Sequence, residues 1–158
     1  MTSRRDAIRR QMQAEHEASL EILRAIPEAQ WATPVPSEEE APWTAKDVLI
    51  HLAVSEAGIL TPITRYVNGE PGVPTDFDLN RYNRSSVKKR ADKTVPELLA
   101  EIEAAHAALL AKLETLSEAD LDKTGRHARG DTLTIEGFFR RTSEHRLQHA
   151  RELQKAVA

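Results

Sequence analysis

The sequence predicts an all-α chain, a four-helix bundle forming a single domain over residues 1–158. Three observations carry that expectation. Four segments place apolar residues at helical spacing, each opens on a residue able to cap a helix, and no segment alternates with the period of two that a half-buried strand needs. At 158 residues the chain can bury one core and is short for two.

The first segment runs from about Ser3 to Ile26, with Ser3 and Asp6 spaced as a capping box and Ile8, Met12, Leu20 and Leu23 on one stripe. The second opens at Thr44, with Asp47 at the box position, and carries Val48, Leu52, Ile59, Ile63 and Val67. Pro62 lies inside it and predicts a kink or an end near Thr61. The third opens on the Thr94–Glu97 box and follows Leu98, Ile102, Leu109, Leu113 and Leu116. A short turn is expected at SEADL. The fourth runs from about Thr132 to the C-terminus on Ile135, Phe138, Phe139, Leu153 and Val157. The longest connection, GEPGVPTDFDLNRYNRSSVKKRADK, joins helices two and three, and a loop of that length suits a crossover or a functional role.

Composition removes several function classes. There is no cysteine, so disulfides, thiolate zinc sites and a thiol nucleophile are excluded, and any metal must be held by His, Asp or Glu. A net charge of −3 and only 4% aromatic residues supply neither the electrostatic pull nor the stacking platforms for nucleic acid. The basic N-terminus has no apolar core, and VLIHLAV is far shorter than a membrane span. A soluble cytoplasmic protein with no membrane partner is expected.

The six histidines carry the functional signal. His145 and His149 stand one turn apart and continue the stripe of Ile135, Phe138 and Thr142 towards Leu153. Two imidazoles facing a core must find partners, and a metal satisfies both at once. The zinc-protease motif needs Glu after the first His, and here that residue is Arg146. A di-iron bundle needs two Glu-x-x-His motifs, and the chain has one, Glu103 to His106.

His51 is the best third ligand. It lies seven residues after Thr44, about 10 Å into helix two, and His149 lies nine residues before the C-terminus, about 13 Å from that end. The two share a level only when helices two and four are antiparallel; in a simple up-down-up-down bundle they would be about 15 Å apart. A three-His site therefore predicts an up-down-down-up bundle with a long crossover between helices two and three, where the longest connection lies.

The blocks PWTAKDVLIHLAVSE and EHRLQHARELQKA resemble the DinB-like metal-binding four-helix family. The stretch from DFDLNRYNR to LSEADL is similar to that family's mycothiol-dependent maleylpyruvate isomerase N-terminal branch. The resemblance covers nearly the whole chain and implies an up-down-down-up bundle. It also implies a divalent metal (zinc, nickel or iron) on His51, His145 and His149. The isomerase branch uses Glu as its first helix-four ligand, where this chain has His145, with Glu144 one place earlier. The metal site thus carries over and the isomerase reaction does not. The resemblance further implies a low-molecular-weight thiol as co-substrate and a homodimer.

Three imidazoles leave an open coordination position, the arrangement of a catalytic metal. The expected function is a metal-dependent enzyme acting on a small molecule, a thiol transferase or a hydrolase; the alternative is a non-catalytic metal- or ligand-binding protein of a stress response. Glu144 and Glu56 are candidate acid/base groups. His16, on the helix-one stripe, is a candidate fourth ligand or a group orienting one. His106 is a weaker candidate. Tyr82 and Asn83 of the long connection are substrate-contact candidates, with Arg81 and Arg84 able to bind an anion. His127 is expected to be exposed, and Trp43 to pack over the start of helix two.

Overall fold

The computed structural model describes residues 3–36 and 42–158. Its elements, in chain order, are α1 (Arg4–Ala25), a 3-10 turn (Glu28–Ala32), β1 (Pro34–Val35), β2 (Trp43–Thr44), α2 (Ala45–Gly58), α3 (Leu60–Val67) and α4 (Leu79–Lys89). There follow α5 (Val95–Glu114), α6 (Glu118–Asp122), β3 (Thr124–Arg126), β4 (Thr132–Thr134) and α7 (Ile135–Ala156).

The start signals act as their chemistry requires. Thr44 with Asp47, and Thr94 with Glu97, form reciprocal capping boxes at α2 and α5, and Ser117 with Asp120 does the same at α6. Each occupies backbone donors that the first helical turn leaves free, worth about 1 kcal/mol per cap. At α1 only half of the box forms: Ser3 accepts from the Asp6 N–H, while the Asp6 carboxylate takes Arg9.

Two buried clusters fix the helix directions. One joins Leu20 and Leu23 near the end of α1, Val48, Leu49 and Leu52 near the start of α2, Leu98 and Ile102 at the start of α5, and Ala150 and Leu153 near the end of α7. The other joins Ile8 and Met12 at the start of α1, Ile63 of α3, Leu109 and Leu113 at the end of α5, and Phe138 and Phe139 at the start of α7. Helices α1 and α7 therefore run one way and α2 and α5 the other. This is the up-down-down-up bundle that the histidine levels require, with α1 packed chiefly on α7 and α2 on α5.

Several boundaries differ from the sequence expectation. The second helix breaks between Gly58 and Leu60, because Pro62 has no N–H to return to the Gly58 carbonyl and the chain resets into α3. The crossover is no bare loop: Asp78 accepts the Arg81 N–H and starts α4. The last helix begins at Ile135 behind a Thr134 cap, because Thr132–Thr134 instead pairs antiparallel with Thr124–Arg126. A second short ladder joins Pro34–Val35 to Trp43–Thr44. These two- and three-residue ladders are too short to show an alternating pattern. Residues 37–41 of the first connection lie outside the described residues.

Tyr66 ties the crossover to the β3–β4 hairpin. Its hydroxyl donates to the Arg126 carbonyl at 2.7 Å and accepts the Val73 N–H at 2.8 Å. Gly72 and Gly125 make room for the ring, since a Cβ at either would lie 2.4 or 2.2 Å from it. The run Ala45–Val67 is long and apolar enough, by length and composition, to cross a membrane. That run corrects the estimate from VLIHLAV alone, but Val48, Leu49, Leu52 and Ile63 within it all lie in the bundle core.

Candidate metal centre

His51 of α2 and His145 and His149 of α7 converge. One ligand atom from each lies within 4.8 Å of the others. The Nε2 atoms of His145 and His149 are 3.0 Å apart, and the His51 ring meets theirs edge-on at centroid distances of 5.3 and 5.8 Å. Two of the other nitrogens have partners: Nδ1 of His149 lies 3.0 Å from Glu152 Oε2, and Nδ1 of His51 lies 3.4 Å from Ser55 Oγ. Such outer contacts orient imidazoles and leave Nε2 for an ion. Burial, then the neighbouring His149 and His51, push the His145 imidazole down to about 2, which keeps it neutral. Trp43, beyond its expected packing at the helix start, stands with its ring 5.7 Å from that of His51.

The three nitrogens suit a divalent ion. Ligands about 2.0–2.1 Å from one tetrahedral zinc lie about 3.3 Å from each other. The His145–His149 pair is already near that spacing.

Beside the histidines lies a cavity of about 730 Å³. Its apolar wall includes Leu52, Ile59, Pro62 and Phe77, and its charged wall includes Arg65, Arg129 and Arg141. Tyr82 and Asn83 of α4 are among its lining residues, and a Cβ at Gly58 would come 3.5 Å from the Tyr82 hydroxyl. Arg81 and Arg84 do not line it. Arg141 instead contributes, held by Asp131 through contacts of 2.8 and 3.1 Å.

The expectation for His127 is wrong. It is half-buried, lines the cavity and packs its ring 5.5 Å from Phe138. The hairpin tucks it inward: the Gly130 N–H bonds the His127 carbonyl, with Gly130 at φ +100°, where side chains are strained. Burial pushes its imidazole down to about 4, with Arg141 adding to the effect.

Below the triad is a buried polar network that the sequence reading missed. The Arg146 side chain, 1% exposed, donates to Glu56 Oε1 at 2.7 Å, to Ser19 Oγ at 2.9 Å and to His16 Nδ1 at 2.6 Å. His16 in turn stacks on His106 with ring centroids 3.7 Å apart and planes 4° apart. His16 is therefore no member of the metal-competent group; it contacts Arg146, the residue after His145. Burial and then Arg146 push His16 down to about 3 and His106 to about 4. Burial pushes the Glu56 carboxyl up, and Arg146 opposes it. The signals were available: Glu56 interrupts the apolar run VLIHLAVSEAGIL, and Arg146 stands between two core-facing histidines. Glu144, the other acid/base candidate, is exposed at the cavity edge and accepts from Gln11 at 2.7 Å.

The mycothiol-dependent maleylpyruvate isomerase has a similar fold, with a TM-score of 0.78 at 14% identity over 96% of this chain. The chain spans only 61% of that protein's length. YfiT from Bacillus subtilis, described as a "probable metal-dependent hydrolase with an unusual four-helix bundle topology", gives 0.72 at 20% identity, covering 98% of this chain and 89% of its own. The sibling lethal factor precursor DfsB gives 0.71 at 17%, covering 96% and 93%. No curated protein matches by sequence. The sequence profile of the DinB superfamily matches residues 11–153, and with that span of the bundle included the chain belongs to the DinB superfamily.

Proposed function

We propose that His51, His145 and His149 hold a divalent metal, zinc, nickel or iron. The protein is then a metal-dependent enzyme that acts on a small molecule in the adjoining cavity, by thiol-dependent S-transfer or by hydrolysis. The observation that carries the reading is the convergence of three imidazoles, two of which, His51 and His145, line a cavity of about 730 Å³. That volume suits a small-molecule site. Three nitrogen ligands leave a coordination position open, and when bound a divalent ion supplies a Lewis acid that makes water or a thiol acidic near neutral pH.

The protein's own groups do the remainder. Glu152 and Ser55 orient the imidazoles, Arg65 and Arg129 offer donors to an anionic part of the substrate, and Phe77 and Tyr82 cover its apolar part. With no cysteine in the chain, any thiol arrives as a co-substrate. YfiT, a structural relative described as metal-dependent, supports a metal at this fold's site.

Metal content tests the reading. Protein purified without tag or added metal should hold about one equivalent of a divalent metal, and a His145→Ala/His149→Ala variant should hold none. Equal, negligible metal in both would end the proposal. A screen of thiols against electrophiles, and of esters and amides without thiol, separates transfer from hydrolysis, and activity should vanish in His51→Ala. Stoichiometric metal with no turnover in the whole screen would favour the non-catalytic metal-binding protein instead.

A further inference from the structure

The loop between β3 and β4 fixes His127 in one protonation pattern. Its backbone N–H donates to the Asp131 carbonyl and its carbonyl accepts the Gly130 N–H, each at 2.8 Å. Its side-chain Nδ1 accepts the Arg129 backbone N–H at 3.1 Å. A nitrogen that accepts carries no proton, so the neutral ring holds its proton on Nε2. A proton on Nδ1 would oppose the Arg129 N–H and would find Asp131 Oδ1 at 4.0 Å, beyond hydrogen-bond reach.

The Nε2–H edge is the one left open. One ring face packs on Phe138, with centroids 5.5 Å apart, and the loop backbone covers Nδ1. The residue lines the cavity, and its side chain is 14% exposed. Among the described residues Nε2 has no hydrogen-bond partner. Nor is it one of the sealed and unpartnered atoms, which are Glu56 Oε2, His106 Nδ1 and Arg146 Nε. Two guanidiniums stand beside it: Arg141, fixed by Asp131, and Arg129 line the same cavity, and after burial both disfavour a charge on the ring. A neutral donor beside two cations suits the oxygen of an anion.

We propose that His127 Nε2–H donates to an anionic oxygen, of a carboxylate or a phosphate, on the molecule that occupies the cavity, with Arg129 and Arg141 supplying the charge. His127 then determines specificity, selecting an anion over its neutral isostere, and it is not a general base. The inference deepens the proposed reading by naming a second part of the ligand. It rests on the cavity being the ligand site and not on the ion, so the two fail separately.

The experiment uses the isotope-labelled full chain at neutral pH, zinc-loaded and again after chelation. Acetate, inorganic phosphate and acetamide, the neutral isostere of acetate, are titrated in turn. Long-range proton–nitrogen spectra should show His127 protonated on Nε2. Acetate or phosphate, and not acetamide, should shift that nitrogen and the Ala128 and Thr142 amides in both metal states; the tighter anion names the group. His127→Phe, which keeps a ring on Phe138, should weaken the anion about tenfold, the value of one hydrogen bond to a charged partner. His127→Gln, whose amide N–H reaches the place of Nε2–H, should stay within about threefold of the wild type. A proton on Nδ1, no anion response, equal binding of acetamide, or full affinity in His127→Phe would overturn the inference and leave the metal reading standing. A response that disappears with the zinc assigns the anion to the metal and overturns it too. A chain that takes up no zinc yet binds the anion at His127 would end the metal reading alone. Should His127→Phe not fold, the wild-type protonation pattern and the comparison of acetate with acetamide decide.

Discussion

Arg146 and Glu56 form a 2.7 Å ion pair in which neither side chain is more than 3% exposed, and the pair joins the last helix to the second directly below the histidines. Breaking it from one side strands a charge in the core. Glu56→Ala should lower unfolding stability by about 3–5 kcal/mol, whereas Glu56→Leu/Arg146→Met should recover most of that loss. Urea denaturation of the two variants beside the wild type measures the difference. A single variant as stable as the wild type would contradict the buried pairing.

The stacked His16 and His106 make stability depend on acid. Both are held neutral in the fold, near 3 and 4, against about 6.5 when unfolded. Between those values the unfolded chain binds more protons, so stability rises with pH across the window and falls as pH drops from about 6.5 towards 4. Above 6.5 the pair contributes no slope. His106→Leu should flatten the pH dependence of the urea midpoint between pH 4 and 6.5, and an unchanged profile would show that the pair does not titrate as stated.

Glu152 should matter to the metal and not to the fold. Its carboxylate meets Nδ1 of His149 at 3.0 Å but is 56% exposed, which screens its charge. Glu152→Gln should weaken metal binding by about tenfold, the lower end for partners of ligating histidines. Competition with a chromophoric chelator reads the affinity, and thermal melting of the metal-free protein should show no loss.

The glycines around Tyr66 are steric requirements. Gly125→Ala places a Cβ 2.2 Å from the ring and forces the hairpin or Tyr66 to move. The expected cost is about 1–3 kcal/mol, seen as a lowered melting temperature. Tyr66→Phe keeps the ring and removes the hydroxyl shared by Arg126 and Val73, so its effect isolates the two hydrogen bonds.

What the sequence disclosed follows from which physical signals are local. The caps at Thr44 and Thr94 and the stripe carrying His145 and His149 are periodic features of single helices, and they located the bundle. The pairing with His51 was legible because helix length converts residue number into height. The network of Arg146, Glu56, His16 and His106 was not, since four helices meet there and no single helix shows it. His127 was misplaced because a Gly-flanked loop reads as exposed until its hairpin is seen against Phe138. The α4 helix was missed because its sequence, LNRYNRSSVKK, has few apolar residues to set a period.

The division of the candidate ligands between helices has a consequence for how the chain assembles. His145 and His149 stand one turn apart and are paired as soon as α7 coils, whereas His51 arrives only when α2 docks from the far side of the sequence. An ion bound by all three would therefore report closure of the bundle and not formation of its helices. It would also pull the folding equilibrium forward, by about 2.7 kcal/mol at a hundredfold excess over its dissociation constant. Metal supply would then act on how much of the chain is folded as well as on what the folded chain can do.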